Sequence, residues 1–154
     1  MFNCLAIDIG AGSGRIMRCT VSDAGKVDLT EISRFPNNCR EVDGALLWDI
    51  GALVADIKAG LAKGAAEMKP DAVAVDTWGV DYVLLSGDEE ILPCVSYRDS
   101  RPQKSVPLVH EKIPFNRLYE ITGTQFQEFN TIYQLYCDKI SGKLNGATDF
   151  LMLQ

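Results

Sequence analysis

The sequence predicts an α/β fold built on a mixed sheet, and three observations carry that prediction. The first 35 residues alternate apolar and polar positions between turn residues, as strands do. A long amphipathic helical stretch follows, and after it a short, almost wholly apolar run suited to a parallel strand.

The elements follow in order. Strands are expected at Phe2 to Ile9, Gly14 to Ser22 and Lys26 to Phe35, the second and third parted by the turn Asp23-Ala24-Gly25, so that the three form a β-meander. Asn37 to Leu47 is polar and Gly-containing and reads as a connection. Beyond it Ile50, Leu53, Val54, Ile57, Leu61 and Met68 share one helical face, with Asp56, Lys63 and Glu67 opposite. Asp49 suits the N-cap of that helix and Lys69-Pro70 its stop. Ala72 to Val75 is the short apolar run, expected as a buried parallel strand. Val80 to Leu85 and Ile91 to Val95 flank the turn Ser86-Gly87-Asp88. Three antiparallel strands, a helix and a parallel strand make the ribonuclease-H-like order. Further helices are expected at Pro102 to Lys112, Asn116 to Thr122 and Thr131 to Lys139, the last with Ile132, Leu135 and Tyr136 along one face and Asn130 as its cap.

Composition bounds the function. The 154 residues amount to one domain's worth of chain, and an apolar content of 47% suffices for a core. A net charge of −6, with no Lys/Arg cluster, argues against nucleic acid as a partner. The five cysteines (Cys4, Cys19, Cys39, Cys94, Cys137) are scattered without CxxC spacing, which argues against zinc and for thiols packed as small hydrophobes. No run reaches the roughly 18 apolar residues of a membrane span, and no basic segment leads into an apolar signal. A reducing, cytoplasmic setting is the expectation.

Two stretches carry the chemistry. In DIGAGSGR, Asp8 to Arg15, a carboxylate leaves a buried strand just before glycines alternating with small residues. Such a charge is costly unless paired, so one reading has Asp8 bonded to the backbone N–H groups of its own turn. The other has the turn of Gly10, Gly12, Ser13 and Gly14 facing a phosphate, the glycines permitting positive φ and close approach, with Asp8 holding Mg2+ through water. No Lys-Ser/Thr pair follows, which excludes a P-loop; the alternation Ile16 to Val21 excludes the helix a dinucleotide fingerprint needs. A strand-turn-strand hairpin remains. In DTWGVDYVLL, Asp76 to Leu85, polar side chains and a glycine again stand at a strand end. Asp76, Thr77 and Asp81 are candidates to bond hydroxyls, but strand alternation prevents all three from sharing one pocket, and Asp76 and Thr77 are favoured. Trp78 suits either an apolar wall for a ligand or the core.

These two stretches, with YRDSR at Tyr97 to Arg101 and LYEITGTQFQEFNTIYQL at Leu118 to Leu135, resemble the FGGY carbohydrate kinases of the actin-like ATPase superfamily. The resemblance implies an N-terminal domain of that fold, its sheet incomplete, over residues 1–154. It implies ATP and Mg2+ as cofactors, with Ala11, Gly12, Ser13, Gly14 and Arg15 lining the ATP phosphates and Asp8 handling the metal. Gly79 would contact the sugar, with Trp78, Asp76 and Thr77 beside it, and Phe129 and Asn130 fall where the family places the sugar pocket. The implied reaction moves the γ-phosphate to a hydroxyl of a ketose, first the 1-hydroxyl of L-rhamnulose. The alternatives are xylulose, ribulose, fuculose and glycerol, or a noncatalytic sugar- or nucleotide-binding fragment. Many relatives have proline where Glu128 stands, a departure expected to change loop rigidity rather than contact. Arg98, Asp99 and Arg101 are expected to form ion pairs that hold their loop, and His110 is expected at the surface. The family's base and adenine pocket lie farther downstream, so no catalytic residue is expected here, and the chain reads as a truncated fragment without the C-terminal ATP-binding domain. Sugar and ATP are the expected partners, with neither nucleic acid nor membrane; oligomeric state is not set by the sequence.

Overall fold

The computed structural model describes residues 1–152. The described residues divide into two compact units, one made of Met1–Arg40 and Asp49–Trp78, the other of Glu41–Trp48 and residues 79–152.

The first unit is the expected mixed sheet with its helix. Strands β1 (Phe2–Ile9), β2 (Ser13–Val21) and β3 (Val27–Pro36) form the meander. Register runs Ile9 with Gly14, Asp8 with Arg15 and Leu5 with Arg18. After a short hairpin, β4 (Arg40–Val42) and β5 (Ala45–Trp48), helix α1 (Ile50–Glu67) leads into β6 (Ala72–Asp76). β6 lies parallel to β1, completing the order β3-β2-β1-β6. Asp49 caps α1 as expected, its Oδ1 accepting from Ala52 N at 2.9 Å. The core is one-sided: Leu5, Ile7, Ile9, Ile16, Ile32, Phe35 and Leu53 are buried together, with Ile57, Leu61, Met68 and Trp78 packed against them. α1 meets the sheet through glycines. A Cβ at Gly60 would come within 2.4 Å of Ile16 Cγ1, and one at Gly64 within 2.7 Å of Leu5 Cδ2. That close approach rolls the helix so that Val54, expected on the buried face, is exposed.

Besides Val54, the expected burial of the last strand also fails in this unit. β6 is parallel, as its composition suggested, yet every residue in it is exposed. Among the described residues it is the outer strand of its sheet, paired on one side only.

In the second unit β5 pairs with β4 and with β9 (Cys94–Val95). β7 (Tyr82–Ser86) lies between β8 (Glu89–Ile91) and β10 (Asp149–Met152). The sequence reads Ile91 to Val95 as one strand; Pro93, which offers no N–H to a ladder, ends β8 and lets β9 join a different sheet. The sequence reads Asn37 to Leu47 as a connection; the structure makes it the hairpin β4–β5, whose Asp43-Gly44, both at positive φ, is a two-residue hairpin turn of the favoured chemistry. Helices α2 (Pro102–His110), α3 (Phe115–Thr122) and α4 (Thr131–Ile140) fall where expected, but α4 is turned. Its buried residues are Tyr133, Gln134, Cys137 and Asp138, while Ile132 and Ile140 are exposed. Of the chain's closing Phe150 to Gln154, residues 153–154 lie outside the described residues.

Candidate active site

On the first unit, Gly10 to Gly12 turn the chain from β1 into β2, with Gly10 N donating to Ser13 O at 2.9 Å. The hairpin form is as expected, but its glycines act differently from the expectation. None of Gly10, Gly12 and Gly14 has positive φ. Gly14 is buried within the ladder between Ile9 and Phe35, and a Cβ there would come within 2.1 Å of the Phe35 ring. Gly12 is exposed with nothing within 4 Å of where a Cβ would stand, leaving its backbone open to a ligand. Ala11 and Ser13 are half-buried beside it.

Asp8 does not bond its own turn. Its Oδ2 accepts from Arg15 Nη2, its cross-strand neighbour, and both side chains keep about 40% exposure (39% and 41%). On its other side Asp8 is in register with Asp76 of β6. In-register residues of parallel strands project to one face, and here it is the face opposite Leu5, Ile7 and Ile9. Two carboxylates thus leave adjacent strand ends together, beside the glycine turn. Just past Asp76, Thr77 Oγ1 is buried with no hydrogen-bond partner among the described residues, a hydroxyl with bonding capacity to spare. Trp78 packs against the core cluster.

On the second unit, Gly79 and Val80 are consecutive residues in the left-handed region, at φ +71° and +62°. Asp81 N bonds Gly79 O at 2.9 Å, closing a turn around Val80. A β-branched residue is strained there, and its surroundings hold it. Val80 O accepts from Thr131 Oγ1 at 2.8 Å and from Gln134 Nε2 at 3.1 Å, while the same Nε2 donates to Phe129 O at 2.8 Å. One buried amide therefore ties the Gly79 turn to the Phe129 segment. Nothing in the sequence singles out Gln134. Asp81, weighed as a hydroxyl ligand, is instead fully buried and accepts from Trp48 Nε1 at 2.6 Å. Asn130 sits at the N-cap position of α4, but its side chain donates to Gln125 O rather than capping the helix.

Charged side chains hold the YRDSR loop, Arg101 through an ion pair of the kind expected and Asp99 through backbone N–H groups. Asp99 accepts from Leu46 N at 2.9 Å and Arg101 N at 2.8 Å. Arg101 pairs with the buried Asp138 of α4, whose other oxygen accepts from Tyr82 Oη at 2.6 Å. Burial works against the Arg101 charge, but Asp138 and Tyr82 more than offset it and raise its pKa. Burial, with the bond to Asp138, also raises that of Tyr82. Cys94, beneath this network, is pushed up to about 12, first by burial and then by Asp81. Tyr97 meets the Phe129 ring edge-on at 5.5 Å, and the two open onto a cavity of about 250 Å3 lined also by Arg98, Ser100, Gln103 and Glu128. Glu128 thus lines a cavity, where only an effect on loop rigidity was expected. His110 is half-buried, its Nε2 2.8 Å from Tyr133 Oη among Phe115 and Phe126.

No family model matches the sequence. Curated relatives do. The chain is 47% identical over 138 residues to a rhamnulokinase of Halalkalibacterium halodurans and 38% identical over 151 residues to one of Enterococcus faecalis. These matches take in 88% and 97% of this chain but 29% and 30% of those proteins, so the chain spans less than a third of their length. Among solved structures it resembles a ligand-bound xylulose kinase of Lactobacillus acidophilus, with TM-score 0.80 at 13% identity, covering 97% of this chain and 31% of that one. It also resembles a glycerol kinase of Plasmodium falciparum with ADP, with TM-score 0.70 at 14% identity, covering 99% and 32%. The fold is that of the actin-like sugar kinases. Over the stretch it shares with these relatives, the chain is similar to rhamnulokinases, in keeping with the resemblance to the FGGY carbohydrate kinases that its motifs carry.

Proposed function

We propose that the chain supplies the N-terminal, phosphate- and sugar-binding part of an ATP-dependent kinase that phosphorylates the 1-hydroxyl of L-rhamnulose. The observation that carries the chemistry is the register of Asp8 with Asp76 beside the glycine turn. The donors there are all oxygen, which suits Mg2+ that keeps most of its water and shares the phosphates of ATP. Asp8 would hold the metal through water, with Asp76 beside it. Among the described residues no group of three or more His, Cys, Asp or Glu side chains is gathered to hold a metal. The backbone at Ala11, Gly12 and Ser13 would take the phosphates, and Arg15 would balance their charge while orienting Asp8. Bound Mg2+ would neutralise charge on the transferring phosphoryl group.

Thr77, with its unpartnered hydroxyl, and Asp76 are the sugar-hydroxyl ligands we favour on the first unit. Gly79, Phe129 and Asn130 are those on the second. Trp78 keeps its place on the core cluster and at most lends an edge to the sugar. The proton acceptor and adenine pocket belong, in this reading, to the two thirds of such enzymes that this chain does not match. ATP and the ketose are the partners we propose, in a cytoplasmic setting. Among the described residues no helix is long and apolar enough to cross a membrane.

The test is a chimera in which this chain replaces the matching part of the Halalkalibacterium rhamnulokinase, assayed by ADP release. Phosphorylation of L-rhamnulose in preference to xylulose, ribulose, fuculose or glycerol is expected, with none from the 154-residue chain alone. Gly79→Arg in the chimera should abolish sugar turnover and spare nucleotide binding. Preference for another acceptor would reassign the substrate. A folded chimera that binds both ligands without turnover would favour a noncatalytic binding role.

A further inference from the structure

The glycine turn is held from behind by a residue that its motif does not include. Asn37 follows β3 and is buried, with 7% exposure. Its side-chain Nδ2 donates to Gly10 O at 2.9 Å, and its backbone N donates to Gly12 O at 3.1 Å. One residue therefore takes both carbonyls that flank Ala11 and Gly12. A trans peptide is planar, so its N–H points opposite to its C=O. With Gly10 O turned to Asn37, the Ala11 N–H must point away from it; with Gly12 O turned likewise, so must the Ser13 N–H. Gly10 N–H is already committed to Ser13 O.

We propose that Asn37 is a positioning residue for phosphate binding: it fixes the peptide planes of the turn so that the Ala11 amide is presented to an anion before one arrives. This rests on the phosphate reading of the hairpin given above. The physical gain is preorganisation. A glycine-flanked turn free to rotate its peptide planes would lose that freedom on binding, at a cost in affinity. Asn37 also lines a solvent-open cavity of about 380 Å3 with polar residues (Asn38, Arg40, Asp49, Asp56) and apolar ones (Pro36, Leu53), so shortening its side chain leaves a space that water can enter rather than a sealed void.

The test uses the 15N-labelled 154-residue chain, titrated with inorganic triphosphate in excess Mg2+, beside Asn37→Ala, Asn37→Asp and the neighbouring control Asn38→Ala. In the unaltered chain and in Asn38→Ala, the Ala11 and Gly12 amide resonances should shift saturably. In both Asn37 variants binding should weaken about tenfold, the worth of one hydrogen bond of about 1.4 kcal/mol. Resonances of β1, β2 and β3 away from the turn should stay in place. The order parameter of the Ala11 amide, near the rigid value of about 0.85 in the unaltered chain, should fall toward about 0.6. Equal affinity and equal order in the Asn37 variants would overturn the role given to Asn37 and leave the phosphate reading standing. Absence of any triphosphate shift in the unaltered chain would overturn the phosphate reading itself, even if Asn37 still orders the turn.

Discussion

Gly10, Gly12 and Gly14 look interchangeable in the sequence and have three different jobs in the structure. Gly12 leaves open space, Gly10 carries a carbonyl that Asn37 holds, and Gly14 makes room for a ring. A methyl at Gly14 would overlap Phe35 Cε2 and Cζ at 2.1 and 2.2 Å, and the ring is buried against the core with little room to retreat. Gly14→Ala should therefore cost about 1–3 kcal/mol, the usual penalty for overpacking. Phe35→Leu made in the same chain should return part of it. Thermal melts of the two single variants and the double give the coupling; strict additivity would mean that the ring is not what excludes the methyl. Sequence reading found the turn because glycine spacing and alternation are local signals. It missed Phe35 and Asn37 because their roles come from cross-strand register some twenty residues away in the chain, which no local pattern encodes. Asp8 shows the same limit: its cost at a strand end was legible, and its partner Arg15 became visible only once the strands were paired.

Helix α4 inverts the expected relation between polarity and burial. Its apolar residues Ile132 and Ile140 are exposed, while Gln134 and Asp138 are nearly wholly buried, because the elements around them offer hydrogen-bond partners: Val80 O, Phe129 O, Tyr82 Oη and the Arg101 guanidinium. Apolar periodicity finds helices that bury fat, and it misorients one that docks by charge. Removing one member of such a network leaves the others buried without a partner. Asp138→Ala should cost about 3–5 kcal/mol in denaturant unfolding, and Asp138→Asn distinctly less, since the amide oxygen still accepts from Tyr82. Equal losses for the two would place the stabilisation in packing rather than charge. Helix α1, by contrast, was legible to its N-cap, and its only surprise, the exposure of Val54, follows from glycines that bring one face closer than a period of 3.6 foresees.

At the scale of the molecule, the predicted order of three antiparallel strands, helix and parallel strand holds, and burial of the last strand does not. β6 exposes Val73 at 53% and Val75 at 56%, with one row of backbone groups outside its sheet. Such an edge invites pairing with another chain, and proteins commonly guard edges with lysine. The 154-residue chain should self-associate as its concentration rises, and Val75→Lys should hold it monomeric over a wider range in sedimentation velocity. A chain that stays monomeric without the lysine would show that this edge is not adhesive.

The hairpin of β4 and β5 adds an order in time. It is set into the sequence between β3 and α1, yet its partners come much later: β9 pairs with β5, Asp99 accepts from Leu46 N, and Asp81 accepts from Trp48 Nε1. On the ribosome, everything the first unit's sheet requires has been made once Asp76 has emerged, while Trp48 waits for Asp81 and then for Cys94 and Val95. The chain is thus obliged to carry a finished piece and an unfinished one at once, with the bond from Trp48 to Asp81 still to be made in the interval.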